Sequence, residues 1–177
     1  MLFAYFFLYL EKIFTRVETW ALPALLKATL WGIVLSVLTL VTDYALFSGE
    51  FHIVPFSKTA LSYSPLFLLL IALIKTISTH VGFAMGWRGG KIFPAIFASV
   101  AVGAAIAQFI PIQPAITVSL AVVASITIIL EKPLLTAILL IFLLPISLAP
   151  LIFITAYIVM LIHKFLLKKI GLKSLIY

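Results

Sequence analysis

The hydrophobic positions run in blocks rather than alternating, and each block is closed by Pro, Gly or a few charges. Leu2–Leu10 is apolar and continues through Glu11, Lys12 and Arg16 to Trp20, which predicts a helix whose second half leaves the apolar phase. Pro23 opens Leu25–Val41, long enough to cross a bilayer if Lys27 extends to the interface. Thr42–Ser64 is the most polar stretch, with Asp43, Glu50, His52 and Lys58, and its centre, ALFSGEFHIVPF, is too short to cross and predicts a re-entrant or interfacial piece. Leu66–Gly86 predicts a span holding Lys75 and His80, and Pro94–Ile110 a small-residue helix ended by Pro111 and Pro114. Ala115–Leu130, Leu134–Leu144 and Leu148–Leu167 complete the series, separated by Glu131-Lys132-Pro133 and a Pro/Ser break. The expected fold is all-α and polytopic, one transmembrane domain over residues 1–177 with no soluble domain.

Composition explains why the blocks must face lipid. Hydrophobic residues are 65% of the 177 positions, charged residues 10%, and mean hydropathy is +1.34, whereas a soluble domain carries roughly a quarter charged residues. A chain of this size still exposes about a third of its surface on folding, so water is excluded as its main solvent. The opening MLFAYFFLYLEKIF has no cation ahead of its apolar run and no small-residue cleavage site, and reads as a first structural helix. Several blocks are shorter than the ~20 residues of a full crossing, the mark of broken or tilted helices that meet inside the bilayer around a binding site.

The net charge of +7 sits at block ends rather than among aromatics, so no nucleic-acid partner is expected. Lys12, Arg16 and Lys27 flank the first loop, and Lys164, Lys168, Lys169 and Lys173 crowd the C-terminus. Both regions are expected to be cytoplasmic in the plasma membrane, with Asp43 and Glu50 facing out. There is no Cys, which excludes thiol chemistry and Cys-based metal sites. Asp43, Glu50 and His52 lack ligand spacing and read as a solvated face. Ser57, Ser62, Ser64 and His80 form no nucleophile–base arrangement, so the chain is not read as an enzyme and no cofactor is called for.

The segment WRGGKIFPA carries the chemistry. Gly89-Gly90 permits a sharp turn and a close approach, and Pro94 suits the first helical position, where a missing N–H has no partner. The amides of Ile92, Phe93, Ala95 and Ile96 are then expected to be unpaired, and with the helix dipole they make an anion site, supported by Arg88 and Lys91. The same residues also suit an interfacial loop, with Arg88 and Lys91 meeting lipid headgroups and Trp87 in the aromatic belt.

Lys75, Thr79, Gly86, Gly89, Gly90, Pro94, Phe97 and Gly103 stand in one ungapped register. This pattern resembles the second-half signature of the CLC family of chloride channels and proton-coupled chloride antiporters. LFSGEFHI resembles that family's Gly-containing re-entrant segment, KPLLTAILLIFLL its penultimate helix, and KSLIY the segment with its pore tyrosine. Ile92 stands in the family's Phe slot, with Phe93 one residue late, and Tyr177 is likewise one residue late. The Gly-x-Glu-x-Pro of the family's first half is not in this sequence. The resemblance therefore implies the second repeat of a chloride channel or transporter, with an anion held by Gly89, Gly90, Lys91, Ile92, Phe93, Pro94 and Tyr177. It implies as partners the lipid bilayer, chloride or a similar anion, and a first-half chain or a homo-oligomer. The alternative is a non-conducting remnant or membrane assembly partner. Lys75 at its family position is expected to donate to loop carbonyls, and His80 to be packed or interfacial.

Overall fold

Eight α-helices follow the apolar blocks closely. The computed structural model describes residues 1–18, 22–46 and 48–170. The helices are α1 (Leu2–Glu18), α2 (Ala24–Thr39), α3 (Glu50–Thr59), α4 (Pro65–Ala84), α5 (Ile92–Ala107), α6 (Pro114–Leu130), α7 (Pro133–Ile141) and α8 (Ala149–Ile170), with short 3₁₀ turns at Asp43–Ala45, Ala60–Ser62 and Ile146–Leu148. Proline sets several starts: Pro65, Pro114 and Pro133 occupy the first helical position of α4, α6 and α7, where no intrahelical N–H bond is lost. Ser64 adds a side-chain cap, accepting from the Phe67 N–H at 3.3 Å. Glu131 closes α6 in the left-handed region at φ 53.

Among the described residues, two segments are long and apolar enough to cross a membrane, Pro65–Ala84 and Ile146–Lys169, while α2, α5 and α6 are shorter apolar helices. The short piece expected around Glu50, re-entrant or interfacial, is α3, of 10 residues. It enters through Gly49 at φ 84 and carries Pro55 inside.

At the centre lies α5, packed against α4 on one side and α6 on another. Twelve of its 16 residues are buried, so it behaves as the protein core of the bundle rather than as a lipid-facing rod. Small residues make that possible. A Cβ added at Gly103 would come within 2.9 Å of the Val118 Cα on α6, a backbone atom that cannot step aside. The α5–α6 contact thus depends on the missing side chain. By contrast no residue of α2 is buried. It rests on α4 mainly through Trp31, whose ring lies over Gly82 beside Trp87.

Gly103→Ala should therefore lower stability by about 1–3 kcal/mol, the usual cost of overpacking a tight contact. Gly32→Ala on exposed α2, where an added Cβ meets nothing within 4 Å, should be neutral or slightly stabilising through helix propensity. Thermal unfolding in detergent checks both. Equal midpoints for the two variants would show that α5 and α6 can move apart freely.

Candidate anion site at the start of α5

The turn leading into α5 is built by α4. The Trp87 N–H donates to the Gly82 carbonyl at 2.8 Å and the Gly86 N–H to that of Phe83 at 2.9 Å, with Gly86 at φ 93. This is a Schellman closure, in which the left-handed residue is Gly86. The sharp turn expected at Gly89-Gly90 is therefore made three residues earlier. Gly89 and Gly90 are exposed and outside the left-handed region. A Cβ on Gly90 would meet nothing within 4 Å, and one on Gly89 only Phe83 at 3.8 Å.

The helix itself begins at Ile92, so Pro94 is its third residue and not its first. The third position suits proline for the same reason, because none of the first three amides has an intrahelical partner. The Ala95 N–H donates to the Lys91 carbonyl at 3.1 Å, which removes Ala95 from the expected set of unpaired amides, and Ile96 lies one residue deeper. Ile92 and Phe93 remain as the first two amides of a 16-residue helix whose N-cap, Lys91, supplies no side-chain cap. Both are half-buried, and Pro94 is buried.

Charge around this helix end is arranged by a partner the sequence did not suggest. Lys91 Nζ donates to Glu11 of α1, 2.6 Å from Oε1 and 2.9 Å from Oε2, across 80 residues of sequence. Both side chains are about one-third exposed, at 33% and 31%. They line a cavity of ≈ 370 Å³ together with Lys12, Thr15 and Glu131. Arg88 is exposed beyond it. Tyr177 lies outside the described residues.

Three further buried polar groups surround the site. Lys75 Nζ donates to the Tyr44 carbonyl at 2.9 Å and the Leu46 carbonyl at 2.8 Å, as expected of a structural lysine. His163 on α8, absent from the sequence reading, is 1% exposed. Its Nδ1 is 3.0 Å from the Tyr5 hydroxyl and its Nε2 3.3 Å from Glu131 Oε1. His80 Nδ1 lies 2.7 Å from the Thr76 carbonyl. Among the described residues no group of three or more His, Cys, Asp or Glu side chains could hold a metal ion. Ser64 caps a helix, and Ser57 and Ser62 donate to carbonyls of their own turns.

An all-helical bundle of apolar helices packed around a buried central helix defines the architecture of a membrane protein. The chain belongs to the voltage gated chloride channel family, whose model matches residues 1–164. It is 46% identical over 67 residues to the "Putative ion-transport protein YfeO" of Escherichia coli strain K12 / DH10B, and to that of Shigella boydii serotype 18. The match takes in 37% of this chain and 16% of those relatives. No solved structure matches. The chain is an integral membrane protein of an ion-transporting family.

Gly86→Ala forces a Cβ into the left-handed region and should destabilise by about 1–2 kcal/mol, while Gly90→Ala should leave the unfolding midpoint within experimental error. The reverse ranking would place the turn at Gly89-Gly90 after all.

Proposed function

We propose that this chain supplies one half of an anion pathway, binding chloride or a similar small monovalent anion through the backbone amides of Ile92 and Phe93. The observation that carries the reading is the start of α5: two amides at the positive end of a buried helix, without a side-chain cap, in a member of a chloride channel family. Gly89 and Gly90 keep the approach clear of side chains, Pro94 as third residue of α5 brings no amide of its own, and Arg88, with Lys91 partly offset by Glu11, adds positive potential. Tyr177 is a candidate for closing the cytoplasmic side. Amides serve whatever the side chain, so Ile92 in place of the family's Phe leaves this chemistry intact.

The pathway needs a second, opposed half. Inverted repeats create the site between them, and the polar face of one half is not stable against lipid. The opposing surface comes from a segment with the first-half pattern, in the same or another chain. Charge placement supports one orientation: Glu131 joins His163, next to Lys164, to the cavity that holds Lys12 and Lys91. The cations of the first loop and of the C-terminal helix therefore gather at one end of the bundle, which we assign to the cytoplasm of the plasma membrane.

Because the sequence has no cysteine, single replacements report topology cleanly. Lys132→Cys should label only from the cytoplasmic side and Glu50→Cys only from outside; the opposite pattern inverts the assignment.

The amide site is tested by Phe93→Pro, which deletes one N–H within the first turn, where proline is tolerated. Loss of one hydrogen bond to an anion is worth about 1.5–3 kcal/mol. Chloride binding by the folded fraction of the purified protein should therefore weaken tenfold or more, beyond the loss seen in a Phe93→Ala control that keeps the amide but also loses the ring packed on the core. Undiminished binding would place the anion elsewhere. In liposomes, residues 1–177 alone should give no chloride flux, and flux should appear with a first-half partner. Robust flux from the lone chain would refute the two-half reading, and none with any partner would favour a non-conducting assembly role.

A further inference from the structure

His80 is 2% exposed, and its Nε2 has no hydrogen-bond partner among the described residues. Its other ring nitrogen, Nδ1, faces the Thr76 carbonyl at 2.7 Å. A carbonyl only accepts, so Nδ1 carries the hydrogen and Nε2 is left with a lone pair. A buried acceptor without a donor is costly, and a proton together with an anionic neighbour would satisfy it. The ring is held in place by Phe7, edge-on at 4.4 Å, and by Phe14 at 6.4 Å.

The anionic neighbour is present. His80 lines a cavity of ≈ 200 Å³ with Glu11, Thr15 and Phe14 of α1 and Phe83 and Ala84 of its own helix. Glu11 is the carboxylate that also holds Lys91 at 2.6 Å, so one carboxylate borders both the cavity lined by His80 and the ammonium at the start of α5. The other charged and titratable groups on neighbouring elements do not line this cavity. Lys27 is on exposed α2, Asp43 and Tyr44 are in the turn bound by Lys75, and Lys12 lines the adjoining cavity. Beyond Lys91 at its N-cap, α5 carries no titratable side chain.

We propose that His80 and Glu11 form a proton-binding site that controls the anion affinity of the α5 start through the shared carboxylate. With His80 neutral, Glu11 is committed to Lys91 and cancels much of its charge. When the ring shifts enough to open Nε2 to the cavity it lines and Nε2 takes a proton, it becomes a donor and draws Glu11 towards the imidazolium. Lys91 is released, and its positive charge acts on the anion at Ile92 and Phe93. No bond other than the N–H forms, and the proton returns to water when Glu11 goes back to Lys91. The coupling is reciprocal, so a bound anion favours the protonated state. The anion arm rests on the reading of the amide site; the exchange of ion-pair partner does not.

The test compares purified protein of residues 1–177 at about pH 8 and about pH 5, the lower value chosen to protonate a buried imidazole. Chloride should bind on the order of tenfold tighter at the lower pH, as expected for a unit charge moved by a few ångströms. His80→Gln and His80→Phe should hold the weaker affinity at both values. Glu11→Gln should bind tightly at both. A full pH response in both His80 variants overturns the proposal while leaving the amide site standing. If chloride binds at neither pH, the amide reading falls and the anion arm with it. The proton site is then decided by a halide-free measurement, the Glu11–Lys91 coupling from a double-mutant cycle of Glu11→Gln and Lys91→Met in thermal unfolding. That coupling should drop by more than half at the lower pH and persist there in a His80→Gln background. Coupling that is equal at both pH values in the wild-type background overturns the shared-carboxylate mechanism.

Discussion

A single ammonium group makes the irregular part of this bundle possible. Between α2 and α3 the chain leaves helical geometry, and carbonyls there that lose their helical partners need another donor. Lys75 reaches from α4 into that segment and donates to Tyr44 and Leu46, with the ring of Phe97 on α5 at 5.5 Å from its nitrogen. The approach leaves no room for a side chain at Gly49, where a Cβ would lie 3.1 Å from Lys75 Cε. Phe97 in turn stacks on Phe56 of α3 and meets Tyr44. One buried cation thus ties the entry turn of α3 to the two central helices, and the start of α5 inherits its position from that arrangement.

The remaining ionisable groups near the site are arranged by the same rule with different chemistry. Lys91 has Glu11, and His163 has Tyr5 on one ring nitrogen and Glu131 on the other. Each joins α1 to another part of the bundle, so α1 is held by polar ties as well as by Phe7, which is fully buried. His80 is the exception, with one nitrogen bonded within its own helix and the other left over. An asymmetry of this kind in low dielectric is where chemistry is concentrated.

Helices and their order were legible because proline, glycine and charge punctuate apolar blocks, and those signals are local. The family register from Lys75 to Gly103 was legible for the same reason, as was the loop-bonding role of Lys75. Misreadings came from turn geometry and from distance. Three glycines lie between residues 86 and 90, and only hydrogen bonding from α4 decides that Gly86 takes the left-handed conformation. Pro94 is tolerated at any of the first three helical positions, so it does not fix the start of α5 to one residue. Glu11 is 80 positions from Lys91, and Tyr5 is 158 from His163, so no spacing argument joins them. The usable signal for both was an acid or imidazole inside an apolar run, which demands a partner without naming it.

The exposure of α2 has a consequence for the membrane in which the protein sits. Its 16 residues span about 24 Å at 1.5 Å per residue, against a hydrocarbon core of about 30 Å. With no buried residue, and held by the Asp43–Ala45 turn and by Trp31 over Gly82, it has little packing to resist the tilt that lipid thickness favours. Thickening the bilayer pulls on α2, and the strain passes through Trp31 to Gly82 and Trp87. Those two residues belong to the closure that delivers the chain into α5. Lipid composition thereby acquires a mechanical route to the start of α5.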